Sequence, residues 1–315
     1  MKLISAFFRL IRWPNLVFIV VTQVLFHYCI ILPSYANGIT ATIMLSSGLL
    51  AVLVLSSVLI AAAGYIINDY FDLNIDQVNK PRLIVVQKII RRRWAIVWHL
   101  SLSGAGILAA LFVSWKINNY VLFFANIVCV LLLWFYSTTF KKKLLLGNVI
   151  ISLLTAWVIM VLYTCELNVF SLDDPAYQHA IKRIFKFAVI YAGFAFIVSL
   201  VREAIKDIED MEGDQRYGCR TMPIVWGVQA SKIYSSIWLV VVILSLVILQ
   251  VYAVMLSWWL GVLYSVLLIL LPLVKIFGDL YKAQKVRDFH LISSLIKLVM
   301  LTGILSMLFF LYYSL

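Results

Sequence analysis

The chain has 315 residues, of which 64% are hydrophobic and 13% are charged, and its mean hydropathy is +1.03. This composition lies outside the range of soluble globular domains and indicates a protein that crosses a membrane several times. The net charge of +12 is compatible with nucleic-acid binding. However, the lysines and arginines fall in short loops between apolar segments, so they predict membrane topology and no nucleic acid.

Apolar runs long enough to span a bilayer follow one another along the sequence. An unpaired backbone group is costly in lipid, and the runs show no alternating polarity, so they predict helices. We therefore predict an all-α membrane protein with nine spans in a single domain, residues 1–315. The predicted spans are residues 15–33, 42–69, 94–114, 119–138, 147–165, 184–206, 231–252, 256–275 and 290–313.

The basic residues are distributed unequally between the two ends of the spans. Of the 26 lysines and arginines, 21 share a side with the amino terminus. This bias predicts an N-in, C-out, multi-pass protein of the cytoplasmic membrane. Lys297 falls inside the last span, about 12 Å from its start at 1.5 Å per residue, and is expected to extend back to the cytosolic surface.

Three aspartates close the second apolar run. Asp69, Asp72 and Asp76 have the spacing i, i+3, i+7, which places them on one face of a helix, and Asn68 lies one turn before Asp72. Like charges this close raise one another's pKa unless a cation lies among them, and hard oxygen ligands suit Mg²⁺. The cluster therefore predicts a magnesium-binding face.

A second acidic cluster repeats this spacing. Asp207, Asp210 and Asp214 each lie 138 residues after a counterpart in the first cluster, and residues 203–214 hold six of the fourteen acidic residues. Both clusters follow long apolar segments, and the charge count places both on the cytosolic side. The sequence thus predicts two metal-binding faces that open onto the cytosol.

Two acidic faces beside basic loops, at the end of membrane spans, favour one class of ligand: a diphosphate that carries a hydrocarbon tail. Mg²⁺ and basic side chains neutralise a leaving diphosphate, while a cavity at membrane depth holds the hydrocarbon. If the tail is allylic, loss of diphosphate leaves a carbocation, which an aromatic face stabilises by roughly 0.5–2 kcal/mol. Tyr136 is the aromatic residue predicted to do so.

The loop at residues 77–93 combines apolar residues with a basic run, Arg91–Arg93. This pattern is typical of a short amphipathic helix that lies on anionic membrane lipids.

Four motifs carry a resemblance to a known family. They are Asn68-Asp69-x-x-Asp72-x-x-x-Asp76 with Lys80-Pro81-Arg82, Asp210-x-x-x-Asp214 with Gly218, Arg12-x-x-Asn15, and Tyr136-Ser137…Lys141-Lys142…Gly147-Asn148. With them the chain resembles the UbiA-type intramembrane prenyltransferases over nearly its whole length. The resemblance implies nine membrane helices around a central cavity.

The resemblance also implies roles for individual residues. Mg²⁺ would be held through the two acidic clusters, with Asp72, Asp210 and Tyr136 as the catalytic residues, and basic or amide side chains would contact the diphosphate or the acceptor. The implied metal ligands are Asp69, Asp72, Asp76, Asp207, Asp210 and Asp214, and the implied substrate-binding residues are Asn15, Asn68, Arg82, Lys141, Lys142 and Lys206.

The residues around the second acidic cluster indicate one branch of the family. The run Arg202-Glu203…Lys206-Asp207-x-Glu209-Asp210-x-x-Gly213-Asp214 is most similar to the digeranylgeranylglyceryl phosphate synthase branch. That branch moves a geranylgeranyl group from a polyprenyl diphosphate donor to the hydroxyl of a lipophilic acceptor, a glycerol-phosphate ether lipid.

One departure from the family pattern leaves the acceptor open. The family often follows its Pro-Arg with Pro and a Ser-Gly pair, whereas this chain continues Leu83-Ile84-Val85-Val86-Gln87-Lys88. Prenylation of an aromatic quinone precursor is the rival enzymatic function, and acceptor assays separate the two. A cation-coupled transporter, which would bind cations between paired acidic helices, is a third hypothesis and predicts ion flux without diphosphate release.

Overall fold

A computed structural model describes residues 2–35, 43–81, 84–168 and 174–313. In these residues the regular structure is helical apart from one isolated bridge between Val86 and Ile90, and nine helices are long and apolar enough to cross a membrane. The predicted all-α membrane fold is confirmed. The spans, numbered here from first to ninth, are Trp13–Tyr35, Ser47–Phe71, Arg92–Lys116, Val121–Thr138, Leu146–Glu166, Pro175–Glu209, Gly227–Met255, Trp259–Lys282 and Val286–Tyr312.

The sixth span begins well before the predicted boundary at residue 184. It has 35 residues, starts at Pro175, and is capped by the Asp174 side chain, which accepts a hydrogen bond from the Ala176 backbone N–H at 2.9 Å. Proline in the first turn after an aspartate cap is a strong helix start. At 1.5 Å per residue the helix is about 50 Å long, more than a bilayer needs.

The acidic clusters do not lie on continuous helices. The second span ends at Phe71, Asp72 occupies the junction, and a short helix covers Leu73–Asn79. The sixth span likewise ends at Glu209, with Asp210 at the junction before the short helix Met211–Arg216. The helical hydrogen bonding nevertheless continues through each junction, since Asp76 N donates to the Asp72 carbonyl at 2.8 Å and Asp214 N donates to the Asp210 carbonyl at 3.2 Å. The three aspartates of each cluster therefore stay close together despite the break.

The second span lies near the centre of the bundle and the last three lie at its periphery. In their most apolar windows, 50% of the residues of the second span are buried, compared with 17% in each of the seventh, eighth and ninth spans. A central second span places the first acidic junction inside the bundle, where other spans can surround it.

Residues 84–91 do not form the predicted amphipathic helix. The chain turns at Gln87, which has a φ of 69°, and the Gln87 backbone N–H donates to the Ile90 carbonyl at 2.7 Å. Val85, Val86 and Ile90 are buried in a cluster with the amino-terminal helix Lys2–Leu10 and the second span. These three side chains thus face the protein, which removes them from water without requiring lipid, whereas Ile89 is exposed.

Candidate active site

The two acidic junctions face each other across one cleft. All six predicted aspartates line this cleft, whose volume is about 370 Å³. The short helices Leu73–Asn79 and Met211–Arg216 pack against each other there. Asn79 joins them, because its Nδ2 donates to the Asp210 carbonyl and its Oδ1 accepts from the Gly213 N–H, both at 2.8 Å. The structure thus brings together two clusters that lie far apart in the sequence.

Gly213 is required by this contact. A Cβ atom at position 213 would lie 2.5 Å from Oδ1 and 2.6 Å from Nδ2 of Asn79, closer than real side chains approach. With any larger residue at position 213, the Asn79 amide would have to move and its two hydrogen bonds to the second short helix would change. Sequence reasoning gave Asn79 no role, and its only signal was its position three residues after Asp76.

Basic and amide side chains engage four of the six aspartates. Lys141 and Asn68 both reach Asp72, so one carboxylate joins the second span to the loop after the fourth. The contacts are Arg12 Nη2 to Asp69 at 2.8 Å, Lys80 Nζ to Asp210 at 2.6 Å, Asn68 Nδ2 to Asp72 at 2.7 Å, Asn148 Nδ2 to Asp207 at 2.9 Å, and Lys141 Nζ to Asp72.

Asp76 and Asp214 differ from the other four aspartates because, within the described ranges, their side chains have neither an ion pair nor a hydrogen bond from another side chain. Burial raises the pKa of Asp76 to about 6, and the charge of Asp69 adds to the shift. Burial and the nearby Asp210 likewise raise the pKa of Asp214 to about 6. The cleft therefore holds more carboxylate charge than its own cations neutralise.

The donor chemistry of the cleft fits a hard divalent cation. Carboxylate oxygens from Asp72, Asp76, Asp210 and Asp214 are the ligands that Mg²⁺ prefers. In the described part of the chain no three acidic, histidine or cysteine side chains converge tightly enough to coordinate a metal as they stand. Lys80 and Lys141 instead hold one carboxylate of each cluster. A metal would therefore have to compete with these two lysines.

Arg12 has an unusual backbone between the amino-terminal helix and the first span. Its φ of 50° lies in the left-handed region, which is unfavourable for a non-glycine residue. The conformation carries its guanidinium to Asp69 and within 5.1 Å of the Tyr65 ring centroid. Arg12 was part of the motif Arg12-x-x-Asn15, but the sequence alone assigned it no function.

The acidic cleft adjoins a central cavity of about 780 Å³ within the bundle. The side chains of Arg12, Asn68, Tyr136, Glu203 and Lys206 line both spaces and form the junction between them. Beyond the junction the central cavity is mainly apolar, and its walls include Phe18, Ile19, Leu133, Leu154 and Trp157. A ligand can thus place a charged head in the cleft and a hydrocarbon tail in the cavity.

The predicted substrate-binding residues fall at different places. Asn68 and Lys206 lie at the junction, Lys141 lies in the cleft, and Asn15 lines only the central cavity. Lys142 is exposed and lines neither space, so Lys141 is the lysine of this pair that faces the site. Arg82 lies outside the described residues. On the other side of that gap, Ile84, Val85 and Val86 form an apolar wall of the cleft.

Lys297 does not extend to the cytosolic surface as expected. Its Nζ donates to Asn15 Oδ1 at 2.6 Å and lies 5.3 Å from the Phe18 ring centroid, so the side chain lines the central cavity. The ninth span packs beside the first, which offers an amide oxygen and an aromatic face nearer than the membrane surface. The sequence gave no sign of this partner.

The chain is similar to known proteins over most of its length. The model of the UbiA prenyltransferase family matches residues 30–301. The digeranylgeranylglyceryl phosphate synthase of Thermococcus sibiricus is 32% identical over 54% of this chain. The protein of that name from Sulfurisphaera tokodaii is 31% identical over 80% of it. The matches span 53% of the Thermococcus sibiricus protein and 83% of the Sulfurisphaera tokodaii protein, so the chain covers about half of the first relative.

Two solved structures share the fold. A structure described as giving insights into digeranylgeranylglyceryl phosphate synthase in membranes has a TM-score of 0.61 at 22% identity, over 98% of this chain and 99% of its own. A UbiA homologue from Archaeoglobus fulgidus bound to DMAPP and Mg²⁺ has a TM-score of 0.57 at 16% identity, over 96% of this chain and 98% of its own. From its sequence and its fold, the chain belongs to the UbiA prenyltransferase family.

Proposed function

We propose that the protein is a Mg²⁺-dependent prenyltransferase that moves a geranylgeranyl group from its diphosphate to the hydroxyl of a glycerol-phosphate ether lipid. The observation that carries the proposal is the continuity of the six-aspartate cleft with an apolar cavity in the bundle. Membership of the UbiA family supports prenyl transfer, and the names of the relatives support this acceptor.

The donor diphosphate would lie in the cleft and its chain in the central cavity. Asp72, Asp76, Asp210 and Asp214 would hold Mg²⁺, which when bound supplies positive charge to the departing diphosphate. Lys80 and Lys141 now pair with aspartates across the cleft. If bound Mg²⁺ took up those carboxylates, the Lys80 and Lys141 ammonium groups would be free to bind phosphate oxygens.

The bond that breaks joins C1 of the prenyl chain to the diphosphate oxygen, which keeps the electron pair. Tyr136 lies at the junction of cleft and cavity, where its ring can face the allylic cation and stabilise it by roughly 0.5–2 kcal/mol. The apolar walls of the cavity exclude water that would otherwise capture the cation. The acceptor hydroxyl oxygen then forms the new C–O bond and its proton leaves toward the cleft.

The proposed location is a cellular membrane with the cleft on the cytosolic side and the amino terminus inside. Both acidic junctions follow spans whose ends the charge count assigns to the side with 21 of the 26 basic residues of the sequence. This distribution supports the orientation through the positive-inside rule.

The decisive experiment uses the purified full chain in lipid nanodiscs with radiolabelled geranylgeranyl diphosphate, Mg²⁺ and geranylgeranylglyceryl phosphate. We expect diphosphate release and a lipid with two prenyl ethers, identified by mass spectrometry, and we expect EDTA to abolish both. A product formed only with an aromatic acceptor would replace the proposed acceptor. Ion flux with no diphosphate release would exclude a transferase.

A further inference from the structure

Lys297 is a cation inside a membrane span with no carboxylate partner in the described part of the chain. Its hydrogen-bond acceptor is the neutral Asn15 amide oxygen, 2.6 Å away, and its other close neighbour is the Phe18 ring. An isolated ammonium at membrane depth is costly and usually marks a functional site. The proposed transfer reaction, as described so far, leaves it unused.

Lys297 shares the wall of the central cavity with three other cations, Arg202, Lys206 and Arg12. Two of the three share one carboxylate, since Glu203 forms ion pairs with Arg202 at 2.8 Å and with Lys206 at 3.2 Å. In addition, the Arg202 Nε is buried and has no hydrogen-bond partner. This part of the cavity therefore has surplus positive charge and two N–H donors suited to an anion.

The surplus charge does not belong to the six-aspartate cleft. Lys297, Arg202 and Asn15 line the central cavity and are absent from the walls of the cleft. Tyr136 and Lys206 line both spaces, so an anion at Lys297 would lie beside the reaction junction and apart from the diphosphate.

The same face of the ninth span leads into a third space. Met300, one turn after Lys297, lines the central cavity and also an apolar chamber of about 920 Å³ formed mainly by the fifth to ninth spans. This size lies in the range of cavities that enclose a ligand. An anionic group at Lys297 could thus carry a second hydrocarbon chain that does not compete for the donor's space.

We propose that Lys297, with Arg202 and Asn15, binds the phosphate group of the acceptor lipid and makes the enzyme specific for a phosphorylated acceptor. The inference rests on the proposed function, because it assigns a binding site to the acceptor, the second of the two anionic lipids in that reaction. The phosphate lies at Lys297, the acceptor chain lies in the apolar chamber, and the free hydroxyl points toward Tyr136.

The test compares wild-type protein with Lys297→Met, which keeps the length of the side chain and removes its charge. We expect the KM for the phosphorylated acceptor to rise about 10- to 100-fold, the loss expected for a charge-assisted hydrogen bond. The KM for the donor diphosphate and the rate with the same acceptor lacking its phosphate should be unchanged. Lys297→Arg should retain the preference for the phosphorylated acceptor.

Lys116→Met is the matched control, because Lys116 is exposed at the other end of the bundle, 4.7 Å from the Trp115 ring centroid. It should leave all three values unchanged. A rise in the donor KM in Lys297→Met would show that Lys297 binds the diphosphate, and equal losses with both acceptors would show a structural role. Either result overturns the inference.

Direct binding separates this inference from the proposed reaction. Affinity for the phosphorylated acceptor is measured in EDTA without donor, by equilibrium binding of a fluorescent analogue. Tighter binding to wild type than to Lys297→Met supports the phosphate site even if no transfer occurs. Equal binding overturns the site even if wild type makes the diether product.

Discussion

Both ends of the bundle remove carboxylates from water, but the two ends differ in whether the protein supplies partners for these groups. Away from the cleft, Glu166 at the end of the fifth span is fully buried and accepts hydrogen bonds from Tyr35 Oη at 3.2 Å, Leu45 N at 3.0 Å and Met44 N at 3.2 Å. In the cleft, Asp76 and Asp214 form no ion pair with the described residues, and their pKa values are raised to about 6.

The difference shows how a structural carboxylate can be told from a binding one. Hydrogen bonds from the protein compensate the burial of Glu166. They also connect the segment before the second span to the end of the fifth span. Asp76 and Asp214 are desolvated without such compensation, which costs stability unless a ligand provides it. Half-buried acidic groups that the fold leaves uncompensated, such as Asp76 and Asp214, therefore suit the divalent cation of the proposed function.

Removing a cleft carboxylate should have the largest effect. Asp72→Ala or Asp210→Ala takes a ligand from one cluster and leaves Lys141 or Lys80 without its counter-ion. We expect prenyl transfer to fall by at least about 10²–10³-fold, the scale of losing one electrostatic contact to a transition state. Product is measured by radiolabel transfer, with size-exclusion chromatography to confirm folding. Turnover within a few fold of wild type, in well-folded protein, would contradict the two-cluster site.

Lowering the pH should have the second-largest effect, a weaker binding of Mg²⁺. The raised pKa values mean that Asp76 and Asp214 gain protons as the pH falls through about 6, and a protonated carboxyl is a poor metal ligand. Between pH 7 and pH 5 the affinity should fall about 10- to 100-fold, up to tenfold per group per pH unit, and above pH 7 it should stay level. Calorimetric Mg²⁺ titrations check this, and constant affinity down to pH 5 would disprove it.

Gly213→Ala should produce a smaller loss. The added methyl group would overlap the Asn79 amide and push the two short helices apart, at a cost of about 1–3 kcal/mol in folding free energy. We expect Mg²⁺ affinity to fall about tenfold, because the clusters would no longer be held at the same separation. Gly193→Ala in the sixth span is the control, since a Cβ there meets no atom within 4 Å. Equal Mg²⁺ affinities in the two variants would show that the Asn79 contact does not position the site.

Changing Glu166 should affect stability and spare catalysis. Glu166→Ala leaves Tyr35, Met44 and Leu45 without their acceptor and should cost about 1–3 kcal/mol of stability, seen as a lower thermal midpoint. Glu166→Gln keeps one acceptor oxygen and should lose less. Turnover per folded molecule should stay within about twofold of wild type, since Glu166 lines neither the cleft nor the central cavity. A loss of turnover as large as that of Asp72→Ala would remove the distinction between the two ends.

Much of the architecture could be predicted because it depends on local sequence. The nine spans follow from the length of apolar runs that a bilayer requires, and the largest boundary shift is at the Asp174 cap, which begins the sixth span at Pro175 instead of residue 184. The six aspartates were recognised by their repeated spacing. The breaks at Asp72 and Asp210 were missed, because the spacing is equally compatible with a continuous helix.

The sequence by itself determined a polytopic helical protein with two acidic segments, because span length and aspartate spacing are properties of short stretches. Only the tertiary structure decided which groups meet. Asn79 bonds to a residue 131 positions away and Lys297 to one 282 positions away. Such contacts depend on how the spans pack around the cavity. No local pattern encodes that arrangement, so the compensated Glu166, the uncompensated Asp76 and Asp214, and the inward-facing Lys297 could be recognised only in the folded chain.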